Sequence, residues 1–392
     1  MNEALITPSV LRWARERTGL SATVLAKKLP VKDERILIRW EQGEARPTFR
    51  QAQQIAKTLH VPFGYLFLSS PPEDKLPIPD LRTLPSIRSQ KISPDFHDLI
   101  NEVLRKQNWY REYILEEGGS PLPFVGDFGL NAPPEAVADN IGAVLGIDEK
   151  FRSSASNWEQ FLLRFIMQAE QASILVLRSG VVGNNPRRKL SVSEFRGFAI
   201  SDKYVPLVFL NSRDAKAAQI FTLAHELAHL WIGESGISNP DLGKPRRNLD
   251  QQIEIFCNQV AAELLVPRKQ LLSAWNKQQP VDKNVHNLVR EFRVSSLVVL
   301  RRAFDLDQID WDTFIVNYNE EVQQTLDRTR LQSKEGGGDF YATLLTRHSP
   351  TLTQAIVAAA FQGRLLYREA ASLLALKKVK TLEGVAKELG FR

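Results

Sequence analysis

Two of the chain's six histidines lie four residues apart in "FTLAHELAHLWIG", residues 221–233, with a glutamate directly after the first. Positions i and i+4 of an α-helix face the same way, so His225 and His229 can place two nitrogens on one metal ion. Glu226 sits about 100° around the helix, within reach of a water at that ion without itself ligating. The three side chains together supply two zinc ligands and a general base for water whose pKa the metal lowers to about 7. The competing reading is an amphipathic helix carrying two imidazoles, because Phe221, Leu223, Leu227, Leu230 and Trp231 provide ample apolar surface. A third ligand decides between the two.

The acidic candidates downstream are Glu234, Asp241, Asp250, Glu254 and Glu263. Glu234 comes only five residues after His229, before the chain can turn back. "NLDQQIEIFCNQVAAELLVP" carries apolar residues at helical spacing and reads as a second helix, joined through the loop "ESGISNPDLGKPRR". An antiparallel pair brings one face of this helix over the metal. Glu254 and Asn258 share a face; the first can ligate and the second can hold a ligand in place. Asp250, one turn before Glu254, is a supporting group, whereas Glu263 suits a surface pair and is only a reserve ligand. His225, His229 and Glu254 with an open water position make a catalytic geometry, since a structural site closes the fourth position with protein. Cys257, among apolar neighbours, reads as a small buried hydrophobe.

The elements that position these groups form an α+β arrangement. A long helix, "SNWEQFLLRFIMQAEQAS", precedes three short apolar runs with β character, "ILVLRSG", "FRGFAIS" and "VPLVFLN". At 392 residues, 43% hydrophobic and 24% charged, the chain has room for two to four globular domains. No apolar run approaches the roughly 20 residues that span a bilayer. The N-terminus lacks the pattern of a secretory signal, and the single cysteine excludes an internal disulfide framework. The expectation is a cytoplasmic protein with no membrane partner.

Charge is concentrated at one end. Residues 1–70 hold eleven Lys/Arg against six Asp/Glu, which is +5 of the chain's net +6. The segment reads as five short helices: Thr7-Pro8 starts the first, Ser21 caps the second, and Gly43 closes the third. "LSATVLAKKLPVKDERILIRWEQGEARPTFRQAQQIAKTL" resembles the helix-turn-helix of the XRE (Cro/C1-type repressor) family, most specifically in "RWEQGEARPT". The resemblance implies that the helix near Lys32 to Trp40 enters the major groove of double-stranded operator DNA. Lys32, Asp33, Glu34 and Arg35 then lie where side chains reach base edges, and Arg39 and Arg46 are phosphate partners. A homodimer fits such a domain, because paired helix-turn-helices read half-sites about one DNA turn apart, though no residue names the dimer surface. A domain that has lost DNA binding and serves for docking is the competing reading.

Four segments in order, "FRGFAIS", "PLVFLN", "FTLAHELAHLWIG" and "EIFCNQVAAELLVP", resemble the ImmA/IrrE family of zinc metallopeptidases over roughly residues 155–315. That family is bacterial and cleaves repressors of the XRE class; its third ligand and the asparagine four residues on map onto Glu254 and Asn258. Cys257 and Val260 depart from the family's usual alanine and aromatic residue. The expected organisation is multidomain. An all-α helix-turn-helix domain spans 1–70, and a linker and helical connector spans 71–150. An α+β zincin-like metallopeptidase domain follows at 151–315, and a small helical C-terminal subdomain at 316–392. Arg293, Arg301 and Arg302 read as a solvated face. The implied function is a DNA-binding transcriptional regulator carrying a zinc-dependent endopeptidase, with Zn²⁺ as cofactor and a protein such as a repressor as substrate. The alternative is a DNA-binding repressor or antitoxin that sequesters a protein toxin, with a non-catalytic zinc site.

Overall fold

Capping residues set the helix boundaries at the N-terminal end of the chain. The computed structural model describes residues 3–29, 31, 33–72, 77–79, 92–238, 249–331 and 339–391. Helices α1 (Pro8–Arg17), α2 (Ala22–Lys28), α3 (Glu34–Gln42) and α4 (Phe49–Thr58) precede a 3-10 turn over Phe63–Phe67. Ser21 accepts from the Val24 amide, Asp33 accepts from the Arg35 amide, and Thr48 with Gln51 forms a capping box. Gly43 ends α3 at φ 78°, a left-handed conformation that disfavours a β-carbon. Leu11, Leu25, Leu37, Trp40 and Ile55 meet in one core.

The "RWEQG" stretch thus does structural work. Trp40 faces inward, and Glu41 accepts from Arg15 Nε at 2.6 Å and Nη2 at 3.0 Å, tying α3 to α1. Glu41 is buried and Arg15 nearly so, which makes this a costly pair to break. Arg15→Ala should lower stability by about 2–3 kcal/mol, read as a lower unfolding midpoint. Arg15→Lys should recover only part of it, because an ammonium cannot repeat the bidentate geometry.

Contacts divide the chain into two units, Met1–Pro77 with Gln90–Ile100 and Ile78–Ser89 with Asn101–Arg392. The remaining helices are α5 (Pro94–Glu116), α6 (Pro134–Leu145), α7 (Glu149–Ser153), α8 (Trp158–Gln171), α9 (Lys216–Trp231), α10 (Leu249–Leu265), α11 (Arg268–Ala274), α12 (Val281–Phe292), α13 (Ser296–Asp305), α14 (Trp311–Leu331), α15 (Phe340–His348), α16 (Pro350–Phe361), α17 (Tyr367–Leu373) and α18 (Lys380–Glu388). Strands β1 (Leu175–Ser179), β2 (Gly197–Ile200), β3 (Leu207–Asn211) and β4 (Gly236–Ser238) form one sheet in the order β1-β3-β2-β4. The β1–β3 pair is parallel, and β2 runs antiparallel to both β3 and β4.

Helix α9 lies on β2 and β3 and packs against α10, α8 and α6. Every residue from Gln219 to Trp231 is buried, so α9 is a core helix and not a surface amphipath. Its last carbonyls, of Leu230 and Trp231, accept from the amides of Gly126 and Phe128 at 3.0 and 3.1 Å. Trp231 stacks on Phe124 with ring centroids 4.4 Å apart and donates from Nε1 to Asn140.

Two expectations are corrected. The segment read as a loop after α9 contains β4, whose three residues are too few to show a strand pattern against their glycine and serines. Arg302 is not on a solvated face: its guanidinium is buried, donating to the Val266 carbonyl at 3.1 Å and pairing with Glu263. The C-terminal segment is helical as expected, and Gly336 to Gly338 lie outside the described residues. Its helices join the sheet unit through polar contacts. Ser349 Oγ donates to Glu170, and Asn184 donates to the carbonyls of Leu374 and Ala375. Among the described residues, no helix is long and apolar enough to cross a membrane.

Candidate metal centre

Helices α9 and α10 carry the donors in opposite directions: His225 faces Asn258, and His229, one turn later, faces Glu254, one turn earlier. This antiparallel match brings three candidate ligand side chains together. His225 Nε2 and His229 Nε2 are 3.1 Å apart, His229 Nε2 and Glu254 Oε1 are 3.2 Å apart, and His225 Nε2 and Glu254 Oε2 are 3.4 Å apart. Ligand atoms about 2.0–2.1 Å from a tetrahedral ion lie roughly 3.3–3.4 Å from one another. The separations, in which Glu254 faces each imidazole with a different oxygen, are close to those between neighbouring ligands of such an ion. All three side chains are buried, and together they could hold a metal ion.

The surroundings orient and polarise these side chains. His225 Nδ1 lies 3.0 Å from Asn258 Oδ1, which can only accept, so Nδ1 donates there and Nε2 is the nitrogen that faces the cluster. Burial pushes His229 below the usual imidazole range. Burial by itself would raise Glu254, but the facing imidazoles, His225 first, hold it at about 2. Two imidazoles and a carboxylate are a donor set that suits a divalent metal. Burial pushes the Cys257 thiol well up, with Glu254 and Glu226 adding to it, so no thiolate enters the site. Glu263 accepts from the Arg268 amide at 3.0 Å and pairs with Arg302, away from the donors.

Glu226 is fully buried and turns toward the sheet. A β-carbon added at Gly197 of β2 would lie 3.0 Å from Glu226 Oε1 and 2.6 Å from Thr222 Cγ2. Gly197 therefore makes the room in which the Glu226 carboxylate sits. Sequence reasoning missed this residue, although a glycine inside the β pattern "FRGFAIS" signals a close approach.

In the N-terminal unit the candidate DNA residues are spread along α3 and the segment after it. Asp33 caps α3, Glu34 and Arg35 occupy its first turn, and Arg39 is exposed with Nε 3.8 Å from Glu44. Arg46 is exposed ahead of the Thr48 cap, and Lys32 lies outside the described residues.

The family described as the IrrE N-terminal-like domain, a peptidase family, matches residues 170–304, which hold the whole sheet, α9 and α10. The helix-turn-helix family matches residues 11–66. The chain joins a helix-turn-helix domain to an IrrE N-terminal-like domain. Residues 349–388 match a domain of unknown function (DUF8813). Comparison with curated proteins returned no match. In the IrrE-like domain, Asn258→Ala should weaken metal binding by about 10–100-fold, because His225 loses the group that fixes its ring. A competition titration against a chromophoric chelator measures the change.

Proposed function

We propose that the chain is a DNA-binding regulator whose IrrE-like domain is a zinc-dependent endopeptidase acting on a protein such as a repressor. The observation that carries this reading is the buried His225–His229–Glu254 triangle, with separations of 3.1, 3.2 and 3.4 Å, on a helix that also presents Glu226. His225, His229 and Glu254 would hold the ion, with Asn258 orienting the first. When bound, zinc supplies Lewis acidity and lowers the pKa of water to near neutrality. Glu226 accepts the proton from the attacking water and returns it to the leaving amine as the peptide bond breaks. Three protein ligands leave a fourth position for the reaction. Cleavage of fluorescein-labelled β-casein by the zinc-loaded chain, stopped by a chelator and restored by zinc, is the direct test. No cleavage by a fully zinc-loaded chain would count against the enzyme.

One observation favours a second reading, the repressor or antitoxin with a non-catalytic zinc: His225, Glu226 and His229 are completely buried. A zinc that serves only stability needs no path for substrate. Glu226→Gln separates the two by turnover: it would stop casein cleavage by an enzyme, whereas a non-catalytic protein would show no cleavage to lose and would keep its zinc content and its DNA and partner affinities.

On DNA, Arg35 is the candidate base contact, and Arg39 and Arg46 the phosphate contacts. Arg39→Ala and Arg46→Ala should each weaken binding to all duplexes alike and reduce the salt slope of log K by about 0.9. Arg35→Ala should instead cost about 1–3 kcal/mol on the preferred operator and relax sequence preference. Fluorescence anisotropy across a salt series, on selected and random duplexes, distinguishes these outcomes.

A further inference from the structure

Helices α16, α17 and α18 repeat the plan of α1, α2 and α3. The first three are ten, seven and nine residues long, and the last three are twelve, seven and nine. In each set the third helix packs against the first and the second. Their buried positions match at one constant spacing along the chain, with no residue inserted or lost. Val10, Leu11 and Ala14 of α1 correspond to Ala355, Ile356 and Ala359 of α16. Leu25 and Ala26 of α2 correspond to Ala370 and Ala371 of α17. Leu37, Trp40 and Glu41 of α3 correspond to Leu382, Val385 and Ala386 of α18. Where Arg15 pairs with Glu41 to tie the third helix to the first, Ala360 and Ala386 stand, both buried. An ion pair and two small apolar side chains are alternative ways to fill the same pair of buried positions.

The correspondence makes α17 and α18 a helix-turn-helix inside the stretch that matches a domain of unknown function. Ala375, at φ 50°, turns the chain out of α17. Asn184 of the IrrE-like domain donates to the carbonyls of Leu374 and Ala375 and so fixes that turn. Charge is what differs between the two sets. The positions of Lys32, Asp33, Glu34 and Arg35, two cations and two anions, are taken by Lys377, Lys378, Val379 and Lys380. These four are exposed. Gly384 stands in the position of Arg39, and a β-carbon there would run into Tyr341 Oη of α15. Tyr341 thus covers α18 one turn in and leaves its start, and the turn before it, open. An ammonium is a point charge without a directed fork, which suits phosphate oxygens better than base edges.

We propose that α16, α17 and α18 form a second helix-turn-helix, which binds the phosphate backbone of double-stranded DNA through Lys377, Lys378 and Lys380. Such contacts add affinity without reading sequence. An acidic protein is the other occupant that three lysines could take, and the plan shared with the N-terminal helix-turn-helix favours DNA. Neither zinc nor the DNA contacts assigned to Arg35, Arg39 and Arg46 enter the argument. Each phosphate neutralised changes the slope of log K against log salt by about 0.9, so three lysines account for about 2.7.

The test uses the full chain carrying Arg35→Ala, Arg39→Ala and Arg46→Ala, which removes the candidate DNA cations of the N-terminal unit. Fluorescence anisotropy of a labelled random-sequence duplex, followed from low to physiological salt, reads both affinity and slope. This chain should still bind duplex, and adding Lys377→Ala, Lys378→Ala and Lys380→Ala should reduce the slope by about 2.7. A charge-matched control replaces three exposed lysines elsewhere, Lys269, Lys277 and Lys283, with alanine and should leave the slope as it was. Labelled polyglutamate serves as the acidic-protein probe. A chain that binds no duplex before the lysines are changed overturns the proposal. So does a slope that the Lys377, Lys378 and Lys380 substitutions leave unaltered, or one that the control lowers equally. Loss of polyglutamate binding with duplex binding intact overturns it in favour of an acidic protein partner.

Discussion

Glu226→Gln should lower the turnover of labelled casein by about 10²–10⁴-fold while zinc content stays near one ion per chain. The glutamine keeps the size of the side chain and its place beside Gly197, so helix α9 has no reason to shift on the sheet. It removes the one property the mechanism needs, a carboxylate that takes a proton from water and gives it to the departing amine. His225, His229 and Glu254 are untouched, and the metal affinity should follow them. A loss of this size in kcat with KM little changed would mark a group acting in the transition state. Proteolysis that survives the substitution would sink the role given to Glu226. An inactive wild-type chain with intact zinc would instead leave the non-catalytic reading standing.

Glu254→Ala should weaken zinc binding by at least about 100-fold, more than loss of a supporting residue such as Asn258. Glu254 is the anionic ligand of the three, held ionised at about 2, and both of its oxygens face imidazole nitrogens. Without it, two neutral rings on one helix are left to hold a divalent ion in a buried setting. The loss also appears in stability. Binding to the folded chain alone stabilises it in proportion to the logarithm of free metal over Kd, so a 100-fold weaker site forfeits about 2.7 kcal/mol at saturating zinc. The unfolding midpoint of the zinc-loaded variant should therefore fall toward that of the chelated wild type. Unaltered affinity would place the metal elsewhere in the molecule.

The convergence of the candidate ligands was legible in the sequence because helical periodicity is a local rule. The four-residue steps from His225 to His229 and from Glu254 to Asn258 each fix a shared face, and only the antiparallel pairing of the two helices had to be assumed. The three apolar runs before α9 likewise became β1, β2 and β3. Features that depend on contacts between distant segments were not legible. Arg302 reads as a surface cation until α13 is packed against Glu263 and the Val266 carbonyl. Strand β4 is three residues long and exists because β2 offers it an edge, so no periodicity announces it. The fit of Glu226 against Gly197 spans 29 residues, and the hydrogen bond from Ile237 to Pro79 spans 158. In the N-terminal unit the resemblance to a helix-turn-helix was visible, but the reason for its most specific stretch was not: Trp40 and Glu41 turn inward to hold α1.

The most direct measurement is metal content. The purified wild-type chain would be stripped with chelator, dialysed, reconstituted with excess zinc, desalted and assayed by mass spectrometry for zinc per chain. The account predicts close to one zinc in the wild type and a small fraction of that in Glu254→Ala, with both proteins folded by circular dichroism. A folded wild type that takes up no zinc would contradict it. The buried triangle of His225, His229 and Glu254 would then be a hydrogen-bonded core, and the chain a DNA-binding protein without a metallopeptidase.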